Sequence, residues 1–270
     1  MSTIFLTCLV LLCAAVAVLM WRSGDQTAHV VAKYVPWFGL TMAVVVATGT
    51  YANFVPTRRP GPVVLGAADG KDATIIPGSV VYLVLYQLIW FCFAVLFLAA
   101  GVETAIAAWR THWPLALLFA CLGLCSASAP ALALAGRLGR GRVVLTTEEI
   151  IHEGWGSRTR MPWADTPRVI AAFEQSPLIL VAGSDGTRWS QRATTPQLPT
   201  GNRRRQIWML DRPARTGSIV VECPRLAVDG HQLLRFLTYY ADNPAARTEL
   251  GTPRSLDRWQ AALAHGEPNR

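Results

Sequence analysis

The chain has 270 residues, a formal net charge of +8 and 52% hydrophobic residues, and the charge is divided unevenly along it. Residues 137–270 hold 19 of the 25 basic and 13 of the 17 acidic residues, so this half is about +6 and the first half about +2. This division excludes a chain that is soluble throughout and predicts a membrane-embedded first half. The basic residues are 23 arginines and two lysines, a usage typical of a GC-rich bacterial genome.

The first 136 residues contain four continuous apolar runs that are long enough to cross a bilayer. A hydrocarbon core of about 30 Å requires roughly 20 apolar residues in a helix, and only helices or closed barrels satisfy their backbone hydrogen bonds in lipid. The runs do not alternate as barrel strands would. The sequence therefore predicts a four-helix transmembrane domain over residues 1–136, with helices near 4–21, 36–55, 80–102 and 113–135.

The distribution of basic residues around these helices predicts that both termini are cytoplasmic, in a plasma (inner) membrane. Cytoplasmic segments carry the excess of Lys and Arg, and tryptophans prefer the membrane interface. With the amino terminus inside, the inner segments hold Arg58, Arg59, Lys71, Arg137, Arg140 and Arg142, and the outer segments hold Arg22, Lys33 and Arg110. The same orientation places Trp21, Trp37, Trp109 and Trp113 at outer helix ends.

A cleaved signal peptide is the competing interpretation of the amino terminus. Ala15-Val16-Ala17 offers small residues for cleavage, but the first three residues supply no basic n-region. Cleavage would leave three helices and turn the second half outward, which the charge distribution opposes.

The cysteines do not form a metal-binding pattern. Five of the six lie in the apolar runs, Cys223 alone lies in the second half, and no CxxC spacing or adjacent histidine occurs. We therefore expect small apolar packing roles for them, without a metal or a cofactor.

Small residues recur every fourth position along the last apolar run, where they predict close approach of another helix. Packing within the four-helix domain and a homodimer seam both fit this helix-packing ridge. Its members are Gly123, Ala127, Ala131 and Ala135.

A transporter usually carries ionisable groups at mid-membrane depth. The helix centres here contain none; the polar candidates are Gln87, Asn53 and Glu103, of which the last two lie close to helix ends. The segment 56–79 opens with Pro, Gly and Arg residues and is interpreted as an exposed cytoplasmic loop. Gly66–Lys71 lacks the spacing and the hydroxyl residue of a phosphate loop.

The second half changes to short β-prone runs separated by turn residues. Seven strands are predicted near 142–146, 150–154, 159–163, 168–173, 178–182, 187–192 and 218–223, with a hairpin turn at Gly183–Gly186 between the fifth and the sixth. A helix begins after Asp229, which caps it, and Gln232 completes a capping box. Its apolar face carries Leu233, Phe236, Leu237 and Tyr240, and we expect it to cover a hydrophobic opening.

This order of elements resembles the pleckstrin-homology (PH) fold, a bent seven-stranded sandwich or partly open barrel with a C-terminal capping helix. The resemblance is carried by the segments Leu145–Ile150, Arg160–Asp165 and Tyr240–Leu250. It looks like the bacterial PH-like domains that are attached to transmembrane helices in uncharacterised actinobacterial membrane proteins. The resemblance implies a cytoplasmic PH-like domain over 137–252, followed by a C-terminal helix and tail over 253–270.

Two groups of residues in this domain are candidates for particular roles. The resemblance implies that Trp163 and Asp165 fix a structural corner, and a buried indole suits that role. Arg203, Arg204, Arg205 and Trp208 are candidates for contact with anionic lipid or a partner, at about 1 kcal/mol per basic residue near a charged membrane. A solvated loop tip is the alternative interpretation of this arginine stretch.

No catalytic, nucleotide-binding or nucleic-acid-binding motif is recognised, and we expect a non-enzymatic protein. The interpretation that follows is a membrane-anchored interaction or sensing module whose PH-like domain binds a protein partner or the anionic inner leaflet, with a possible homodimer and no nucleic acid. The alternative is a small-substrate transporter, or a transport accessory protein, that the tail domain regulates.

Overall fold

The computed structural model describes residues 2–23, 31–58, 61–166, 168–174, 176–184, 186–200, 203–208, 210–212 and 217–264. These residues form two compact units. The helical unit contains residues 1–51 and 81–136, and the β-rich unit contains residues 52–80 and 137–270. The chain therefore enters the β-rich unit, leaves it for two helical segments, and returns.

The helical unit consists of α1 (Ser2–Arg22), α2 (Tyr34–Arg58) and the long helical segment α3 (Val80–Leu134). The described residues include four spans that are apolar and long enough to cross a membrane: Ile4–Arg22, Tyr34–Phe54, Val80–Ala107 and Thr111–Leu134. Four spans are consistent with a multi-pass membrane protein, as the sequence predicts.

The segment α3 is folded back on itself. Its 55 residues would extend about 80 Å if straight, yet a Cβ on Gly101 would lie 3.3 Å from the carbonyl oxygen of Ala116. The rings of Phe97 and Phe119 stack with centroids 6.3 Å apart. Such contacts between residues 15 to 22 positions apart require two antiparallel helices, with the reversal between the third and fourth spans.

Among the described residues, eleven strands form the β-rich unit, all in antiparallel pairs. They are β1 (Val64–Ala68), β2 (Lys71–Pro77), β3 (Arg142–Leu145), β4 (Glu149–Glu153), β5 (Ser157–Pro162), β6 (Arg168–Glu174), β7 (Ser176–Ala182), β8 (Ser190–Ala193), β9 (Gln197–Thr200), β10 (Arg203–Gln206) and β11 (Ser218–Glu222). Two sheets carry most of the unit, in the orders β1-β2-β3-β4-β5-β8 and β11-β7-β6, and β9 pairs with β10 separately.

Each of the seven strands predicted from the sequence corresponds to an observed strand, but the predicted hairpin at Gly183–Gly186 is wrong. The strand before this turn, β7, pairs with β6 and β11, whereas the strand after it, β8, pairs with β5 in the other sheet. The turn is a crossing between sheets, anchored by a hydrogen bond from the Gly183 amide to the Gly217 carbonyl at 2.7 Å. Turn residues predict a reversal of the chain without saying which strands pair across it.

The segment 56–79 also differs from the sequence interpretation, which made it an exposed loop inside a 1–136 domain. It contains β1 and β2, and β2 pairs with β3 from Thr74 opposite Leu145 to Pro77 opposite Arg142. Ile76 and Ala73 in β2 are fully buried. The β-rich unit therefore begins before the last two candidate spans and not at residue 137, because β2 supplies an interior strand of its larger sheet.

The main core lies between the two sheets and is closed by the last helices, α4 (Gly230–Asp242) and α5 (Pro253–Ala264). Asp229 caps α4 as predicted, accepting from the amides of His231 at 2.8 Å and Gln232 at 3.0 Å. The predicted apolar face is buried, at 1% exposure or less. It consists of Leu233, Phe236, Leu237 and Tyr240.

The second helix packs back onto this domain. Trp259 is 4% exposed and stacks edge-on against Phe236 with centroids 5.0 Å apart. The Gln232 side chain donates to the Trp259 carbonyl at 2.9 Å, so it joins the two helices. Gln232 Oε1 has no hydrogen-bond partner among the described residues, so the predicted capping box is present only in its Asp229 half.

Candidate functional site

The two ends of α3 connect to the neighbouring strands β2 and β3. We call the residues that hydrogen-bond to one another at this place the strand junction. It consists of residues 77–79, Gly141 and residues 225–227. The Gly78 amide donates to the Gly141 carbonyl at 2.8 Å, which extends the β2–β3 pairing by one step. The Ser79 amide donates to the Arg225 carbonyl at 2.8 Å, and the Ala227 amide to the Pro77 carbonyl at 3.1 Å. Both ends of the helical hairpin are therefore tied to one hydrogen-bonded strand pair.

Glycine is required at Gly78 because the junction is so close-packed. A Cβ there would lie 2.2 Å from the Arg140 carbonyl oxygen and 2.3 Å from that of Gly141, both backbone atoms. Gly141 adopts φ +77°, a conformation that side chains rarely allow. The local sequence thus permits an approach of backbones that other residues would prevent.

Arg225 joins the strand junction, through its carbonyl, to a cluster of charged groups that its side chain contacts. Its guanidinium donates to Asp211 Oδ1 at 2.9 Å and to the Leu210 carbonyl at 2.7 Å, and its Nε lies 2.9 Å from Glu222 Oε2. The guanidinium carbon lies 4.4 Å from the centre of the Trp155 ring, a cation–π contact. Arg225 is thereby fixed on three sides while its carbonyl holds Ser79.

Asp211 connects this cluster to the β4–β5 turn. Its carboxylate accepts from the Trp155 amide at 2.8 Å, the Gly156 amide at 2.9 Å and the Ser157 hydroxyl at 2.8 Å. A Cβ on Gly154 would lie 2.5 Å from Asp211 Oδ2, so glycine makes room for the carboxylate. The Asp211 carboxylate thus joins the β4–β5 turn to Arg225 through charge-assisted hydrogen bonds.

His152 lines a cavity of about 20 Å³ beside this cluster, room for about one water molecule. Burial, together with the Arg225 charge, lowers the pKa of its imidazole to about 4 against the opposing charges of Asp211 and Glu153. The imidazole is therefore neutral at pH 7.

A much larger cavity, of about 900 Å³, lies inside the helical unit. All four spans contribute to its wall, and apolar side chains such as Phe38, Phe97 and Phe119 make most of it. The polar members of the wall are Lys33, Tyr34, Glu103, Thr104 and His112. Lys33 and Glu103 form an ion pair, with side chains 51% and 41% exposed.

The two corner residues predicted from the sequence have extensive internal contacts. The Trp163 indole donates to the Thr146 carbonyl at 2.8 Å and is 2% exposed. Asp165 accepts from the Arg188 amide at 3.1 Å, and its carbonyl accepts from the Ser184 amide at 3.0 Å. These contacts join the β3–β4 turn and the crossing between sheets to one short 3₁₀ turn.

The arginine stretch forms β10, where the backbones of Arg203, Arg204 and Arg205 pair with β9. Their side chains lie outside the described residues. Beyond the strand, Ile207 is 51% exposed and Trp208 is half-buried. The three arginines thus lie on the two-stranded ribbon β9–β10, and apolar surface is exposed just beyond its end.

The helix-packing ridge is partly used within the helical unit. A Cβ on Gly123 would lie 2.6 Å from Leu98, so the glycine allows the two halves of α3 to pack closely. Ala127 is half-buried, whereas Ala131 and Ala135 are exposed. The homodimer seam remains a prediction for the exposed end.

The polar candidates for a transport path are separated. Glu103 belongs to the large cavity, whereas Gln87 does not line it. Both amide atoms of Gln87 are buried and find no hydrogen-bond partner among the described residues. The expected hydrogen bond across the bundle is therefore not observed in the described part of the chain.

Sequence reasoning missed the junction and the Asp211 cluster. Asp211 and its partners are 14 to 56 positions apart in the chain, so no local spacing indicates them. Among the described residues, no group of three or more His, Cys, Asp or Glu side chains is placed to hold a metal ion. Comparisons with protein-family models, with curated proteins and with solved structures found no match for this chain.

Proposed function

We propose that this protein is a membrane-anchored interaction or sensing module without enzymatic activity. In this proposal it lies in the plasma (inner) membrane with both termini cytoplasmic, and its β-rich unit is a PH-like domain that contacts a protein partner or the anionic leaflet. The strand junction is the observation that carries the proposal. A displacement of either end of the α3 hairpin acts directly on the β2–β3 pair, and so on the sheet that the domain is built around.

The internal bonds of the charged groups in the β-rich unit favour a structural role for these groups. Asp211, Arg225 and Glu222 are bonded to one another or to backbone, with side chains 13% to 20% exposed. Groups that are committed to internal bonds in this way are poorly available for acid–base chemistry on a substrate. This favours a domain that acts through its surface.

The ribbon β9–β10 is the proposed contact surface. Three successive arginines in a domain of about +6 favour an acidic partner, and exposed Ile207 together with half-buried Trp208 adds apolar area beside them. Tryptophan and arginine are the residues that most often dominate contact energies.

The test uses the full-length protein, because the two parts of the β-rich unit are separated by the α3 hairpin. Arg203, Arg204 and Arg205 are all replaced by Glu, and the partners captured by in-cell crosslinking are compared by mass spectrometry with those of the unaltered chain. The matched control replaces the exposed Arg168, Arg192 and Arg254 by Glu, which changes the net charge by the same amount. Loss of partners in the first variant but not in the control supports the proposal.

The leaflet arm of the proposal is tested in nanodiscs. Hydrogen exchange at residues 203–206 should be slower in discs that contain phosphatidylglycerol than in discs of phosphatidylcholine alone. Equal exchange in the two discs, together with unchanged partners in the arginine variant, would contradict the assignment of this ribbon.

The large cavity favours a second candidate, in which the helical unit handles a small substrate and the β-rich unit regulates it. Concave, mostly apolar pockets of 300–1,000 Å³ with a few polar groups are typical binding sites. Replacing Gln87 by Leu and Glu103 by Gln should then change the flux or the associated growth phenotype. Unchanged flux in both variants would remove the support for transport.

A further inference from the structure

The cavity of the helical unit has a polar end and an apolar body, and both are built from several helices. Lys33 and Tyr34 come from the start of α2, Glu103 from the third span and His112 from the start of the fourth. These positions belong to the ends of the spans that lie away from residues 51, 81 and 136, where the chain leaves the unit. The polar groups therefore mark one membrane interface, and the aromatic wall extends from it into the span region.

Charge pairing at this end determines what kind of headgroup fits. Lys33 and Glu103 form an ion pair whose side chains are about half exposed, so each has further bonding capacity toward the cavity. An ammonium has three donors, and a carboxylate has about four acceptor positions. A headgroup with adjacent negative and positive parts can bond to both members of this pair without leaving either charge unmatched.

The apolar body excludes a purely polar ligand. Phe38, Leu96, Phe97 and Phe119 line it, and the whole cavity measures about 900 Å³. Such a wall accommodates apolar acyl chains, whereas a polar group placed against it would lose its hydrogen bonds to water. The ligand must therefore combine an acyl chain with a charged headgroup.

We infer that this cavity binds a phospholipid whose headgroup carries a primary ammonium beside its phosphate, with the phosphate at Lys33 and the ammonium at Glu103. His112 is placed to add a further bond at the same end of the cavity. An anionic lipid would place its net charge beside Glu103, and a quaternary ammonium would give Glu103 no N–H to accept from. The inference concerns the helical unit alone and does not depend on what the β-rich unit contacts.

The experiment measures which lipids stay bound to the full-length protein. Protein purified in mild detergent is mixed with equal amounts of phosphatidylethanolamine, phosphatidylcholine and phosphatidylglycerol, and the bound lipids are counted by native mass spectrometry. We expect phosphatidylethanolamine to be retained in preference to the other two. Glu103→Gln should reduce this preference by about tenfold, the change expected for loss of one charge-assisted bond.

Two further substitutions separate the cavity from the general lipid surface. Ala100→Phe places a bulky side chain on the cavity wall and should reduce retention of phosphatidylethanolamine, whereas Ala99→Phe, on the neighbouring exposed position, should not. Lys33→Gln should lower retention more than Arg22→Gln, because Arg22 is exposed and does not line the cavity.

Three results would overturn the inference. They are equal retention of the three lipids, a preference for phosphatidylglycerol, and a preference for phosphatidylethanolamine that Glu103→Gln and Ala100→Phe both leave unchanged. Size-exclusion profiles establish whether each variant is folded. If the charge variants are not folded, the comparison of Ala100→Phe with Ala99→Phe still tests the inference.

Discussion

The carboxylate of Asp211 accepts hydrogen bonds from the β4–β5 turn and from Arg225, two parts of the chain that no local pattern connects. Arg225 in turn supports the junction through its carbonyl. At the scale of single residues, the charged groups of this unit thus stabilise the place where the membrane hairpin joins the sheet. Gly78 has no room for a side chain at this place, and His152 lies beside the same cluster with a lowered imidazole pKa.

The depressed pKa of His152 predicts a loss of stability in acid. Its pKa is about 4 in the folded protein, against an ordinary value of about 6.5, so the unfolded chain binds a proton first as pH falls. The stabilising contribution is complete above about pH 6.5 and is lost progressively between about pH 6.5 and pH 4, by at most about 3 kcal/mol since the side chain is only partly buried. The measurement is the thermal unfolding midpoint in nanodiscs at pH 7 and pH 4.5.

His152→Gln is the comparison for this effect, because it removes the titrating group and leaves the carboxylates in place. The midpoint of the unaltered protein should fall more between pH 7 and pH 4.5 than that of the variant. Parallel curves for the two proteins would show that His152 is not the source of the pH dependence.

Replacement of Gly78 by Ala should destabilise the β-rich unit strongly. The added methyl group would meet two backbone carbonyl oxygens at 2.2 and 2.3 Å, and backbone atoms cannot move away as a flexible side chain would. We expect a loss of about 2 kcal/mol or more. The control is Gly49→Ala in α2, where a Cβ meets nothing within 4 Å and alanine favours the helix. Similar melting temperatures for the two variants would contradict the close packing of the junction.

Individual elements were predictable where the signal is local. Short β-prone runs between turn residues identified seven of the nine strands described after α3. The Asp229 cap together with four apolar residues identified α4, because caps and apolar faces depend on neighbouring residues. The segment of β1 and β2 was missed because its arginines, prolines and glycines indicate a loop. Its second strand, β2, pairs with β3, which is 65 or more positions away in the chain for every pair.

The partner of a strand is a nonlocal property, and this limited the fold prediction most. The Gly183–Gly186 turn was recognisable, but the side-by-side positions of β7 with β11 and of β8 with β5 depend on the core between the sheets. The same limit applies to the sites, since the Lys33–Glu103 pair joins residues 70 positions apart. Glu103 was identified as a polar candidate near an interface, but its partner was not.

The attachment of the C-terminal helices to β2 gives a test at the scale of elements. The Thr74 hydroxyl is fully buried, accepts from the Gly251 amide at 2.9 Å and lies 2.8 Å from Ser255 Oγ. Thr74→Val keeps the shape but leaves the Gly251 amide without this bond, so we expect a loss of about 1–2 kcal/mol.

Thr248→Val serves as the control for the Thr74 variant, because the Thr248 hydroxyl donates to the Ala245 carbonyl in an exposed turn. Unfolding midpoints of both variants are measured together, and hydrogen exchange reports on residues 251–259. If that segment exchanges as slowly in Thr74→Val as in the unaltered protein, the hydroxyl does not hold the helix to the sheet.

At the scale of the whole molecule, the discontinuous sheet restricts how the chain crosses a membrane. Because β2 and β3 are hydrogen-bonded neighbours, residues 71–77 and 142–145 must lie on the same side of it. The segment between them must cross an even number of times, and it contains two candidate spans. This argument does not depend on the count of basic residues. It places β1 and the C-terminal helices on the same side of the membrane.

Labelling of single introduced cysteines by a membrane-impermeant maleimide tests this topology. Ala67→Cys in β1 and Ala245→Cys after α4 are exposed positions in the same unit, so both should react only after the cells are permeabilised. Ser23→Cys, at the far end of α1, should react in intact cells. The native Cys223 is buried and burial raises its thiol pKa to about 11, so it should stay unreactive at neutral pH. Opposite behaviour of Ala67→Cys and Ala245→Cys would contradict the sheet itself, whereas reactivity of both in intact cells with protection of Ser23→Cys would keep the sheet and reverse the orientation.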